Sequence, residues 1–123
     1  MSARPPVYLN LWRIRLPLPG WISILQRLSG AVLFFVLPLA IYLFQLSLTE
    51  AGYARIAHCS GSAGGKLLAG ALLWFYLQHL LGGIRFLLLD LQFGSSLSWA
   101  RRLSAVTLAT SFLLTLFIVL GWR

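Results

Sequence analysis

The chain offers little for chemistry: among its 123 residues only two are carboxylates and two are histidines. One of those histidines, His79, stands near the middle of an apolar run from Lys66 to Asp90 (KLLAGALLWFYLQHLLGGIRFLLLD), which carries Arg85 and Asp90 toward its end. The run is long enough to cross a bilayer, and a neutral imidazole in hydrocarbon must pair with a neighbour, face a cavity or ligate a metal. Gly82 and Gly83 follow one turn on and leave a flat gap beside the ring, wide enough for a porphyrin. At about 100° per residue, His79, Gly82, Gly83, Phe86 and Asp90 share roughly one helix face while Arg85 points well away. Asp90 lies about 16 Å further along the axis than His79.

A second polar group sits earlier in the chain. Ser23, Arg27 and Gly30 follow the i, i+4, i+7 spacing of one helix face, with Gln26 beside them. A hydroxyl and a guanidinium placed there can both donate to a carbonyl oxygen or an acidic group, and Gly30 lets another chain or a ligand come close. The plainer reading of Arg27 is a cation lifting its head to the phosphates. The plainer reading of His79 is a hydrogen bond to a neighbouring helix. The adjacent glycines and the nearby arginines favour haem, because propionates need cations at the ring edge. Bis-imidazole ligation needs a second histidine, and His58 lies in the outer loop, too far from His79. The other ligand must then come from another polypeptide.

The elements that position these residues are membrane spans. A hydrophobic content of 59% and 12 charged residues exclude a soluble globule, and the net charge of +8 is spread over the ends of apolar runs with no basic aromatic surface to bind nucleic acid. Spans are expected at residues 21–48, 66–91 and 103–122, joined by an outer loop at 49–65 and an inner loop at 92–102. Pro38 is a candidate kink in the first span. The proline-rich residues 1–20 read as an inner-side interfacial segment. The fold class is therefore all-α, an integral membrane protein with three transmembrane helices. The positive-inside rule places the amino terminus in the cytoplasm, or in the equivalent matrix compartment, and the carboxy terminus outside. Ser104, Thr107, Ser111 and Thr115 form a small polar stripe suited to close helix packing, and Trp99 and Trp122 are expected interface anchors. His58-Cys59 lacks the rest of a zinc set, and no soluble-type catalytic set can be assembled.

Three blocks, RPPVYLNLWRIRLPLP at 4–19, SILQRLSG at 23–30 and HLLGGIRFLLLD at 79–90, stand in the order and spacing of a known family. The chain resembles the cytochrome b membrane-anchor subunits of succinate dehydrogenase, the succinate:quinone oxidoreductase of respiratory complex II. The blocks match that family's RP...L pattern, its SILHRxSG signature and its HxxxGxRHxxxD signature. The resemblance implies half of a heterodimeric anchor bundle with one haem b shared with a sister anchor subunit, His79 being the axial ligand to the haem iron. It implies quinone binding, with the quinone as substrate, at Ser23 and Arg27. Arg27, Gly30, Gly83 and Arg85 are implied at the haem propionates or pocket, and Asp90 at proton access. The implied partners are the sister subunit, which supplies the other haem ligand, an iron–sulfur subunit, a flavoprotein subunit and membrane lipid, with no nucleic acid. The implied location is a bacterial inner membrane, with the mitochondrial inner membrane second. Gln26 and Phe86 depart from the family, standing where it usually has histidines, which thins the cationic support at the haem edge. The other readings are a fumarate reductase anchor running in reverse, or a non-redox membrane scaffold with a packing histidine.

Overall fold

The computed structural model describes residues 15–92 and 96–121. Most of the segment expected at 1–20, including most of the 4–19 block, lies outside the described residues, as do Trp122 and Arg123. The described residues form four helices and no strand: α1 (Leu18–Ser47), α2 (Glu50–Gly61), α3 (Ala63–Asp90) and α4 (Leu97–Gly121). Three of them, α1, α3 and α4, are long and apolar enough to span a membrane, with mean hydropathies of 2.0, 1.5 and 2.3. The low value belongs to α3, the helix that carries Gln78, His79 and Arg85.

Helix boundaries follow from local chemistry. Chain entry into α1 is set by Pro17 in extended conformation, and Pro19 falls in the first turn, where a missing N–H removes no hydrogen bond. The prolines at this end of the chain therefore open α1 at Leu18 instead of holding the helix off until residue 21. Pro38 is accommodated inside the continuous α1. The stretch expected as a loop at 49–65 is mostly helical. Thr49 Oγ1 accepts the Gly52 N–H at 3.2 Å, with Glu50 in the first turn, and starts α2. Ser62 Oγ accepts the Gly65 N–H at 3.0 Å and starts α3. Ser62 is the one residue between the two helices, so capping hydroxyls overrode the polar, glycine-rich composition. At the other end of α3, Gln92 takes a left-handed φ of 59° and its N–H bonds Leu89 O at 2.9 Å, which stops the helix.

Packing places α3 against both α1 and α4, which also touch each other, while α2 lies on α1 and α3 at the end where α1 finishes. The bundle is polar inside and apolar outside. Among the described residues Ile22 is the buried hydrophobic one, whereas Ser29, Gln78, Arg85, Ser104, Thr107 and Ser111 are all buried. Phe35 and Phe117 are 75% and 78% exposed. In hydrocarbon there is no gain from hiding leucine between helices, so small residues that allow close approach and polar residues that bond across helices take the interior. The expected stripe on α4 is there: Ser111 Oγ donates to Gln78 Oε1 at 2.8 Å and joins α4 to α3. A double-mutant cycle on Gln78→Leu and Ser111→Ala, read by reversible unfolding in detergent, should return a coupling of about 0.6 to 1.7 kcal/mol. Additive effects would mean that this bond does not hold the two helices together.

Candidate functional site

The site is built where α1 and α3 cross. Gln26 and His79 exchange hydrogen bonds: the Gln26 side-chain Nε2 donates to His79 O at 3.0 Å, and His79 Nδ1 stands 3.2 Å from Gln26 O. Ser29, fully buried, donates its hydroxyl to Gln26 O at 3.0 Å and lies 3.2 Å from His79 Nδ1. These three contacts are mutually consistent for one tautomer. A proton on Nδ1 is shared between Gln26 O and Ser29 Oγ, and the Ser29 hydroxyl remains free to donate to Gln26 O. With the proton on Nε2, Nδ1 and Gln26 O would face each other as two lone pairs. The ring is thus carried by α1 through Nδ1, and Nε2 makes no hydrogen bond among the described residues. A packing histidine would make the same Nδ1 bond; the unpaired Nε2 on a half-buried ring is what a metal ligand adds.

Two glycines permit this approach. A Cβ on Gly30 would stand 2.9 Å from His79 Cε1, so the ring edge lies flat against the bare backbone of α1. On α3, a Cβ on Gly82 would run into Gln26 Oε1. Gly83 is less confined, with Gln26 Nε2 at 3.6 Å from where its Cβ would be. Beyond Gly30 a shallow apolar groove continues along α1, lined by Leu33, Phe34, Leu37 and Tyr76 among others.

The remaining sequence-predicted residues separate into two groups. Ser23 is half-buried and Arg27 exposed, on the α1 face that Gly30 continues to the His79 ring. The antiparallel register set by Gln26 and His79 brings Ser23 level with Gly82, about one turn short of Arg85, and the start of α1 near the end of α3 that carries Asp90. Asp90 is exposed at the end of α3. Arg85 is 4% exposed: it shares the buried face of α3 with Gln78 and Gly82, its guanidinium carbon 5.2 Å from the Phe86 ring centroid. It is therefore turned into this chain's own interior and not toward the His79 ring face. Arg85 Nε, Gln78 Nε2 and Gln26 Oε1 are buried without a partner among the described residues. His58 is exposed on α2, and His79 stands about 24 Å along α3 from its start, so the two cannot share a metal. Among the described residues no three His, Cys, Asp or Glu side chains gather.

Sequence reasoning missed the roles of Ser29, Gln26 and Gln78. The available signal was their type: three hydrogen-bonding side chains in spans of this hydropathy need partners on other helices.

The family model described as succinate dehydrogenase/fumarate reductase transmembrane subunit matches residues 1–120. Over 115 residues the chain is 34% identical to the succinate dehydrogenase cytochrome b556 subunit of Coxiella burnetii, covering 92% of each protein. Over 104 residues it is 31% identical to the succinate dehydrogenase cytochrome b556 subunit of Rickettsia felis, covering 85% of this chain and 82% of that protein.

Gly30→Ala should destabilise the protein by roughly 1–3 kcal/mol through overpacking against the imidazole. Gly20→Ala, on the same helix with its nearest contact at 3.5 Å, should be neutral. Thermal unfolding of the two variants in detergent checks the contrast, and equal stability would contradict the close fit at Gly30.

Proposed function

The chain belongs to the succinate dehydrogenase/fumarate reductase transmembrane-subunit family, and on that premise we propose that it is the haem b-binding membrane anchor of a succinate:quinone oxidoreductase. His79 would hold the haem iron through Nε2. The observation that carries this reading is the Nδ1-anchored ring, whose second nitrogen makes no hydrogen bond among the described residues. The fit to haem is chemical as well as geometric, because a neutral imidazole with Nδ1–H committed to acceptors offers the lone pair that iron requires. Gly30 admits the ring edge against α1, and the gap expected beside the ring at Gly82 and Gly83 is taken by this chain's own Gln26, so a planar group would have to approach from the Nε2 side. The second imidazole comes from a sister anchor subunit, since His58 cannot reach. The two anchors together form the bundle, with the iron–sulfur and flavoprotein subunits docked on the cytoplasmic face. The membrane is the bacterial inner membrane, with the amino terminus inside.

At the quinone site, Ser23 Oγ–H and the Arg27 guanidinium donate to one quinone carbonyl oxygen. Both donors strengthen as negative charge develops there, and the surrounding hydrocarbon keeps that interaction from being screened by water. Arg27, exposed from the α1 surface, also reaches the edge of the haem pocket. Arg85 braces that pocket from behind through α3. Asp90, exposed at the cytoplasmic end of α3, passes protons from water toward the reduced quinone. A haem bound at His79 supplies a one-electron reservoir beside the quinone. Both relatives described above are succinate dehydrogenase subunits, which favours succinate oxidation over fumarate reduction as the working direction.

A reduced-minus-oxidised spectrum of the purified complex tests the ligand. Wild type and His58→Ala should both show a sharp b-type band and His79→Ala should lack it; a band that persists in His79→Ala overturns the assignment. Arg27→Ala should lower quinone reduction about 100-fold, as for the loss of one charge-stabilising donor, while succinate oxidation with a soluble artificial acceptor survives. Equal loss of both activities would remove the quinone role and point to failed assembly.

A further inference from the structure

We propose that Gln26 and Ser29 are positioning residues for His79: together they form a seat on α1 that decides which ring nitrogen faces iron and how strongly it donates. The inference rests on reading His79 as the axial ligand, and goes beyond it by assigning the outer partners of that ligand to this chain's first helix.

Each part of the seat does a separate job. Gln26 O and Ser29 Oγ are both 3.2 Å from Nδ1 and share its proton, which leaves Nε2 as the only basic nitrogen. Ser29 cannot swing out of this role: it is fully buried, and its own hydroxyl proton is tied to Gln26 O at 3.0 Å. Gln26 Nε2 grips His79 O at 3.0 Å and fixes the height of α1 against α3, so the Gln26 carbonyl stays level with the ring. Gly30 beneath Cε1 sets how deep the ring can sink. A side chain three residues before Gly30 or one turn away could not replace this set, because the acceptor is a backbone carbonyl whose place depends on the helix register.

The consequence is electronic as well as steric. Acceptors on Nδ1–H push electron density toward Nε2 and stabilise the ferric ion; outer partners of this kind typically change affinity for the bound group about 10- to 100-fold. Removing one acceptor weakens the ligand and favours ferrous iron.

The test uses the assembled complex and measures the haem midpoint potential and the rate of haem transfer to apomyoglobin. Ser29→Ala should keep its haem and shift the midpoint positive. Ser29→Cys, close in volume and a weaker acceptor, should shift it the same way by less, and stands in if the alanine variant does not assemble. Gln26→Leu keeps the backbone acceptor and loses the grip, so it should release haem about 10-fold faster. Ser104→Ala, a buried serine of α4 whose hydroxyl donates to Ala100 O of its own helix, should leave both readouts at wild type. An unmoved midpoint in Ser29→Ala and Ser29→Cys, or an equal shift in Ser104→Ala, overturns the proposal while His79 remains the ligand. A b-type band that survives His79→Ala overturns the ligand reading first and this one with it.

Discussion

The reciprocal pair between Gln26 and His79 is the constraint on which the rest of the site depends. Each residue gives one backbone and one side-chain group to the other, across the crossing of α1 and α3. Such a pair fixes three things together: the axial register of α1 against α3, the tautomer of the ring and the direction in which its free nitrogen points. Water would compete for every one of these groups in a soluble protein. In hydrocarbon an unmade bond costs more, so the pair is held more firmly than its distances of 3.0 and 3.2 Å alone suggest.

The rest of the bundle obeys the same rule. Gln78 and Ser111 join α3 to α4 as Gln26 and His79 join α1 to α3, so α3 is held from two sides by amide and hydroxyl groups. Apolar side chains contribute little between helices and cover the outside, where lipid and partner subunits meet them. Arg85 shows how far the rule extends. Arg85 is 4% exposed, and its Nε has no partner among the described residues, so a fixed positive charge stands behind the site.

Much of this was legible in the residues. Length and apolarity marked the three spans, the spacing of the α4 hydroxyls marked its buried face, and His79 stood out as an imidazole with no soluble-type partner set. The i, i+4, i+7 spacing placed Ser23, Arg27 and Gly30 on one face correctly. Other features depended on contacts that one-dimensional spacing does not contain. Arg85 was placed off the His79 face by helix geometry, yet whether that other face looked into lipid, a partner or the chain's own core depended on where α4 packs. The α2 helix was hidden because glycine-rich composition argued for a loop, while two capping hydroxyls, Thr49 and Ser62, settled the matter locally. Gln26 registered as a departure from a histidine pattern, when its grip on α3 comes from the helix crossing and a backbone carbonyl that sequence does not display.

The central claim is that His79 is held through Nδ1–H by α1 and turns Nε2 to iron. Pulsed electron paramagnetic resonance of the oxidised complex, with nitrogen-15 histidine incorporated into this subunit alone, tests it most directly. The account predicts one strongly coupled nitrogen-15 from a directly bound nitrogen and one weakly coupled, protonated nitrogen-15 from the far side of the same ring. A spectrum whose strong couplings all come from unlabelled nitrogen would place both axial ligands outside this chain and contradict it.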